Sequence, residues 1–410
     1  MIAAAPAVPF PDLRSLVLIL LASSLAALLS RFHRRVVLPT VVIEIVLGIL
    51  FGPEVLGIAK VDSYIKFLSQ IGLAFLFFFA GLEVVEKHVP RRAVFRGTMG
   101  WGISIAIGLV AGVVLQQLGL DAEWWIVGIA LATTALGTLV PILADAGLLP
   151  TPFGVAVLGT GVSGEFWPIV VISVFLTGVY GAFEEVLLLI GFGALILLTM
   201  AMVLRARPPR VIRVLQETIH TTGQAAVRVS VLVLGALVLL AHDVGFDFVL
   251  GALAAGLVVG LALDSPEGHV VRMRLEGIGF GFLIPIYFVV TGITFDLDSL
   301  LTASGLALAA LFLGLLVVVR SASAVLWARD LARRETLGLA FCGATGLPLI
   351  VAIVGIGSDR GAISDAVGAS LVGAGMLSVL AYPLLAVRIV GRAETPMPVE
   401  PVLAGVTDEY

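Results

Sequence analysis

Charge is scarce in this chain. Asp, Glu, Lys and Arg make up 13% of its 410 residues, about half the share found in soluble domains. No stretch is polar enough over sufficient length to form a separate soluble domain beside the apolar runs. A single cysteine, Cys342, excludes an intramolecular disulfide and offers no thiol cluster to a metal. No Gly-rich phosphate loop precedes a helix, and no His-Glu-x-x-His motif occurs, so nothing points to a soluble catalyst. Neither a cofactor nor a nucleic-acid partner is expected. The net charge of −4 decides little, because its distribution along the chain matters more than its sum.

What the chain does have is apolar length. It is 60% hydrophobic, with a mean hydropathy of +1.15. Uncharged runs of ~20 residues recur throughout, the transmembrane-helix pattern. Thirteen spans are expected: 13–30, 37–54, 67–84, 98–117, 124–144, 153–178, 185–204, 224–241, 246–263, 276–293, 303–327, 336–357 and 363–389. With the N-terminus outside, the inward segments hold eighteen Lys and Arg residues and the outward segments four (Arg14, Lys60, Lys66 and Arg360). This is a strong positive-inside bias, and an error of one span would scramble it. A multi-pass plasma-membrane protein with its C-terminus in the cytoplasm is therefore expected. The first apolar run precedes its basic cluster (Arg31, Arg34, Arg35), as in a retained span rather than a cleaved signal peptide. Residues 1–393 read as one membrane domain and 394–410 as a short polar tail.

Glu165 stands out because it lies mid-way along an otherwise uncharged stretch, Phe153 to Tyr180. A carboxylate at that depth costs roughly 2.5–3.5 kcal/mol on insertion scales, so such residues usually face a cavity or a partner. Nearby Pro168 has no N–H, which deprives the Gly164 carbonyl of its helical donor. A carboxylate and a freed carbonyl side by side suggest a cation site. The alternative is a structural hydrogen bond from Glu165 to a neighbouring helix.

The chain also repeats itself. Gly81 closes the third span and Gly292 the tenth, while Thr134 and Thr345 occupy similar segments; both pairs are 211 positions apart. That offset moves seven spans along, so two copies at about 37–178 and 246–389 would lie in opposite orientations, as in secondary transporters. Pro141 strips the Gly137 carbonyl of its donor, and Pro348 does the same to Ala344. With Gly343 and Gly346 nearby, spans five and twelve are expected to unwind midway. Half-helix ends would then meet Thr133, Thr134 and Thr345 in a cavity; two ordinary kinks are the plainer alternative.

With these segments in view, the sequence resembles the cation:proton antiporters, in particular the bacterial branch of Kef-type potassium–proton proteins (monovalent cation:proton antiporter-2). The matching pieces are Leu38 to Pro53, Phe75 to Glu83, Ala132 to Ala135, Leu250 to Leu257 and Pro285 to Gly292. Their order and spacing carry the resemblance, which runs along roughly residues 15–390. It implies an all-α fold with two broken, crossed helices in a core of spans four to six and eleven to thirteen. Spans one to three and eight to ten would form the interface of a homodimer, with span seven linking the two parts. The family often has two adjacent acids, or Asn-Asp, on the sixth span; here the pair reads Gly164-Glu165. A basic residue is common on the eleventh span, and Arg320 stands there. The cytosolic nucleotide-binding domain of Kef-type proteins has no counterpart, so such regulation would be absent or come from a soluble partner.

The first expectation is one-for-one, electroneutral exchange of Na⁺ or K⁺ for H⁺. Glu165 would be the exchanging acid, with the Gly164 carbonyl, Ser163, Thr134 and Thr345 as oxygen donors, the ligand type hard cations prefer. Arg320 would pair with Glu165, satisfy carbonyls of span twelve, or snorkel inward. One alternative keeps the fold, an H⁺-coupled organic-solute carrier with Arg320 as anion partner; the other, of a different class, is a partner-gated cation channel or membrane-embedded regulatory subunit docking through Arg205–Arg213. Glu44 is expected to cap or snorkel, with a place on the interface side of a funnel as the alternative; Arg274 and Glu276 are expected to form a solvated pair, Arg228 to snorkel, and Asp365 to begin a helix. His220 and His242 fall at helix ends, where their spacing makes no metal site.

Overall fold

Inside a bilayer each backbone polar group must find a partner within the protein, which a helix supplies along its own length. The computed structural model describes residues 12–32, 39–86, 89–177, 224–263 and 266–391. Among these residues the fold is helical, with one isolated antiparallel bridge between Ala122 and Ile363. The helices are α1 (Leu13–Phe32), α2 (Thr40–Phe51), α3 (Ser63–Glu86), α4 (Arg91–Gln117), α5 (Trp124–Leu131), α6 (Leu136–Asp145) and α7 (Pro152–Thr177). After the undescribed stretch come α8 (Ala225–Val244), α9 (Phe248–Ala262) and α10 (Pro266–Ile278). A π-helical turn (Gly279–Leu283) joins α10 to α11 (Ile284–Ile293). The chain ends with α12 (Leu297–Leu301), α13 (Ala303–Val325), α14 (Arg333–Gly343), α15 (Leu347–Asp359) and α16 (Asp365–Val390).

Ten stretches are long and apolar enough to cross a membrane, and two shorter apolar helices, α2 and α9, join them. Twelve of the thirteen expected spans therefore coincide with helix. The seventh, 185–204, lies outside the described residues, as do Arg205–Arg213, His220 and the tail 394–410.

The helices pack in two groups. In the first, α3 crosses α9 and α2 crosses α11, with α1 and α8 alongside. Glycine permits both crossings. A Cβ on Gly81 would stand 2.9 Å from the Gly256 Cα, and one on Gly48 2.8 Å from the Gly292 Cα. Without a hydrophobic drive between helices in lipid, such close backbone approach is a main source of attraction. The second group holds α4 to α7 and α13 to α16. One end of it is stapled by main-chain bonds flanking the bridge, Glu123 N–H to Ala362 C=O (2.8 Å) and Ser364 N–H to Asp121 C=O (3.0 Å). The two groups meet where α3 and α9 lie against α7.

Several expectations need correction. Pro168 does not interrupt its span, because α7 runs unbroken from Pro152 to Thr177. Glu44 neither caps nor snorkels: it is buried within α2, 4% exposed. Arg272, one turn from Glu276 rather than two residues away, is the partner in the ion pair expected of Arg274 (2.7 Å). The helix expected from position 276 begins at Pro266 and changes to π geometry just before Pro285. Proline lacks the N–H that would continue the α-pattern, and a widened turn is one way to absorb it.

Candidate functional site

Span five ends its first half at Leu131 and resumes at Leu136; span twelve ends at Gly343 and resumes at Leu347. Both breaks were expected, but they fall differently around their prolines. Pro348 sits in the first turn of α15, where its missing N–H has no helical acceptor to lose. Pro141 lies inside α6, well beyond the break.

The two breaks touch. The Ala135 N–H donates to the Thr345 carbonyl at 2.5 Å, and the Thr134 hydroxyl donates to the Gly343 carbonyl at 2.6 Å. Thr133 donates its hydroxyl to the Ala130 carbonyl (2.8 Å), and Thr345 donates to Phe341 (3.3 Å). Gly346 passes the Thr133 side chain so closely that a Cβ there would collide with its hydroxyl. Trp101 of α4 donates its indole N–H to the Ala132 carbonyl at 3.1 Å. These bonds occupy polar groups that two interrupted helices would otherwise leave bare.

α7 runs beside this crossing. The Gly164 carbonyl, expected to stand free, accepts the Thr134 N–H at 2.9 Å. The donor removed by Pro168 is thus replaced from the break of span five, so the Gly164 carbonyl stays paired while α7 continues. Glu165 follows, half-buried, next to Phe166 and Trp167. The Trp167 indole stacks on Trp101, with ring centroids 6.0 Å apart, and donates to the Thr98 hydroxyl at 3.1 Å. Ser163 does not join the crossing. Its hydroxyl donates to the Gly159 carbonyl (3.0 Å), and it lies 3.3 Å from both the Val94 carbonyl and the Thr98 hydroxyl, toward α4.

Arg320 is fully buried on α13. Its Nε donates to the Gly343 carbonyl at 3.1 Å and its Nη2 to the Thr160 carbonyl at 3.4 Å. Nη1 is buried without an acceptor, and the Thr160 hydroxyl is likewise unpartnered. Gly343 is the last residue of α14, the negative end of a half-helix, where a cation is favoured. Of the three roles considered for Arg320, contact with span-twelve carbonyls is the one seen here, and its complete burial removes snorkelling.

Gly164 has a steric part as well. A Cβ there would stand 2.7 Å from Arg320 Nη2 and 2.5 Å from Thr134 Oγ1. The guanidinium therefore borders the space that a first acid would need. The crossing brings together Thr133, Thr134, Thr345, Gly346, Gly164 and Arg320, with Glu165 adjacent in sequence on α7. Gly137 lies in the first turn of α6, with Glu83 Oε1 3.8 Å from where its Cβ would be. The sequence reading missed the bond made by the indole of Trp101. A tryptophan within an apolar span carries an N–H that needs a partner, and that could have drawn attention to it. Among the described residues no group of three or more His, Cys, Asp or Glu could hold a metal.

Comparison with known proteins gives a concordant result. The family model for the sodium/hydrogen exchanger, transmembrane, matches residues 19–390. A Bacillus subtilis (strain 168) protein named "Putative Na(+)/H(+) antiporter YjbQ" is 26% identical over 402 residues, covering 93% of this chain and 64% of that protein. The Na(+)/H(+) antiporter of Enterococcus hirae is 27% identical over 291 residues, covering 69% of this chain and 73% of its own length. This chain thus spans under two thirds of the Bacillus relative. The solved structure of the sodium proton antiporter MjNhaP1 from Methanocaldococcus jannaschii at pH 8 aligns with a TM-score of 0.66. It covers 92% of this chain and 99% of that one, at 19% identity, a likeness of fold. The matches do not single out the Kef-type branch. On the extent of the family match, the chain belongs to the sodium/hydrogen exchanger family of membrane transporters.

Proposed function

We propose that the protein exchanges a monovalent cation, Na⁺ or K⁺, for H⁺ by alternating access, with Glu165 as the group that binds one or the other. The observation that carries this reading is the crossing of two broken helices beside a half-buried intramembrane carboxylate. Fixed main-chain dipoles and threonine oxygens there provide a polar site with little reorganisation. A hard cation takes oxygen ligands. Glu165 supplies the charged ligand, and the hydroxyl oxygens of Thr134, Thr345 and Thr133 have lone pairs left after donating to carbonyls. Ser163 is assigned a packing role against α4.

Gly164 in place of a first acid leaves one carboxylate on this part of α7, so exchange is one-for-one and electroneutral. Arg320 balances the Gly343 end of α14 and is no proton carrier, because guanidinium keeps its proton. Its burial against carbonyls also disfavours the organic-anion carrier, which needs that charge presented to a solute. The repeats at 37–178 and 246–389 are part of the proposal. The crossings Gly81–Gly256 and Gly292–Gly48 support them, since Gly81 and Gly292 are the pair 211 positions apart. So are thirteen spans, an outside N-terminus, a plasma-membrane location and a homodimer.

The test is cation-driven proton movement in proteoliposomes over pH 6 to 9 with Na⁺, K⁺ and Li⁺, comparing the parent with Glu165→Gln. Exchange by the parent that is lost in the variant is expected. Exchange surviving in Glu165→Gln moves the transport acid elsewhere. A current during turnover overturns the one-for-one stoichiometry, and no exchange with any ion overturns the reading as a whole.

A further inference from the structure

The C-terminal end of α15 is fastened to the first helix group at two neighbouring positions. Asp359 accepts from Lys66 Nζ of α3 at 2.8 Å. Arg360 donates to Asp247 at 3.1 Å, and Asp247 is also the N-cap of α9, accepting from the Val249 N–H. The two pairs run in opposite senses, acid to base and base to acid. Each joins a half-helix of the crossing to the group that packs around it.

Below this contact lies a cavity of about 320 Å³. Ser69 and Tyr287 from the first group form one wall, with Val351, Gly355 and Val372 from α15 and α16 opposite. Its rim carries Lys66 and Asp359 themselves. On the other half of the crossing the situation is reversed. In α6, Gly137, Pro141 and Ala144, spaced along one helical face, are exposed. One half of the crossing thus exposes a helical face, whereas α15 lines a cavity whose rim carries the Lys66–Asp359 pair.

We propose that the pairs Lys66–Asp359 and Asp247–Arg360 form an outer clasp that shuts this cavity in an inward-open state. Releasing the clasp makes the cavity the outer route to the crossing. The inference rests on the antiport reading for its purpose, though not for its test. The strength of the pairs suits the task. The Lys66 and Asp359 side chains are 56% and 58% exposed, and such pairs are weak and readily broken. Asp247 is 9% exposed against 41% for Arg360, so the second pair is the firmer and places the first. A gate that must open in each cycle requires contacts of this order. The oppositely directed pairs also fix which position meets which, because a shift of one residue along α15 would set like charges together.

The experiment reads access directly. On a Cys342→Ala background, Ser69→Cys places one thiol in the cavity wall, and a membrane-impermeant maleimide is added outside intact cells. Labelling is expected to be slow in this parent and about tenfold faster when Lys66→Ala and Arg360→Ala are both introduced. Exchanging the charges, Lys66→Asp with Asp359→Lys, should return the slow rate. Fast labelling in the parent, equal rates in all variants, or labelling only from the cytoplasmic side would overturn the clasp.

A second arm joins Lys66→Cys to Asp359→Cys with a short bis-methanethiosulfonate. Exchange should stop on bridging and resume on reduction; exchange persisting in fully bridged protein overturns the proposal. The labelling arm needs no cargo. Protein that shows the labelling pattern but no cation exchange would retain the clasp and reject the antiport reading.

Discussion

A single methyl group at Gly164 tests how tightly the crossing is built. In Gly164→Ala the new Cβ would stand 2.5 Å from Thr134 Oγ1, 2.7 Å from Arg320 Nη2 and 2.8 Å from Thr134 Cβ. Thr134 cannot withdraw freely, since its hydroxyl is held by the Gly343 carbonyl at 2.6 Å and its N–H by the Gly164 carbonyl at 2.9 Å. Overpacking of this kind costs about 1–3 kcal/mol, and losing the hydroxyl bond adds about 0.5–1.5 kcal/mol. Better helix propensity returns about 1 kcal/mol. The net expectation is a destabilisation of roughly 0.5–3.5 kcal/mol. Gly137→Ala is the control, because its nearest contact, Glu83 Oε1, lies at an ordinary 3.8 Å. The assay is the thermal unfolding midpoint of detergent-solubilised protein followed by tryptophan fluorescence. Gly164→Ala should fall by several degrees while Gly137→Ala holds. A Gly164→Ala midpoint equal to the parent's, or an equal loss in the control, would refute the steric argument.

Gly164→Asp should retain more stability than Gly164→Asn of the same size, because Arg320 Nη1 lacks an acceptor; equal midpoints would show that charge is irrelevant there. Trp101→Phe removes the donor from the Ala132 carbonyl and should cost about 1–3 kcal/mol, again read from the unfolding midpoint. Gly81→Leu should force α3 from the backbone of α9, seen as loss of a monodisperse peak in size-exclusion chromatography. Asp330→Asn, which breaks an exposed pair with Arg96, should change stability by less than about 1 kcal/mol, and a larger loss would mark that pair as part of a network.

The span map was legible because lipid imposes a simple rule on composition. Ala303–Val325 and Asp365–Val390 fall within two residues of their expected limits, 303–327 and 363–389. That the fifth and twelfth spans would break could also be read, since glycine and proline weaken a helix wherever they occur. Where the break falls is a tertiary matter. In span five it lies at Ala132 to Ala135, where carbonyls and amides find partners on α4, on α7 and in the break of span twelve, while Pro141 remains in helix. Pro168 shows the same limit from the other side. Its local effect was correctly anticipated, but a donor 34 residues away in sequence, Thr134, fills the gap. Glu44 looked like an end-of-span residue by position, and only packing reveals that it is enclosed. The six residues of the crossing were individually nameable from sequence; the turn of Ser163 toward α4 and the placement of Arg320 against Gly343 were not.

Two main-chain bonds frame the crossing: Ala135 N–H to Thr345 C=O joins the breaks, and Thr134 N–H to Gly164 C=O ties the first break to α7. Amide and carbonyl groups persist whichever side chain a position carries, proline donors aside. These two bonds therefore do not depend on which side chain a position carries, provided it fits, and at Gly164 and Gly346 it does not. A lineage could change an acid to glycine, or lengthen an aspartate to a glutamate, and keep the same architecture. Such changes redecorate a backbone knot, with no need to invent a new one.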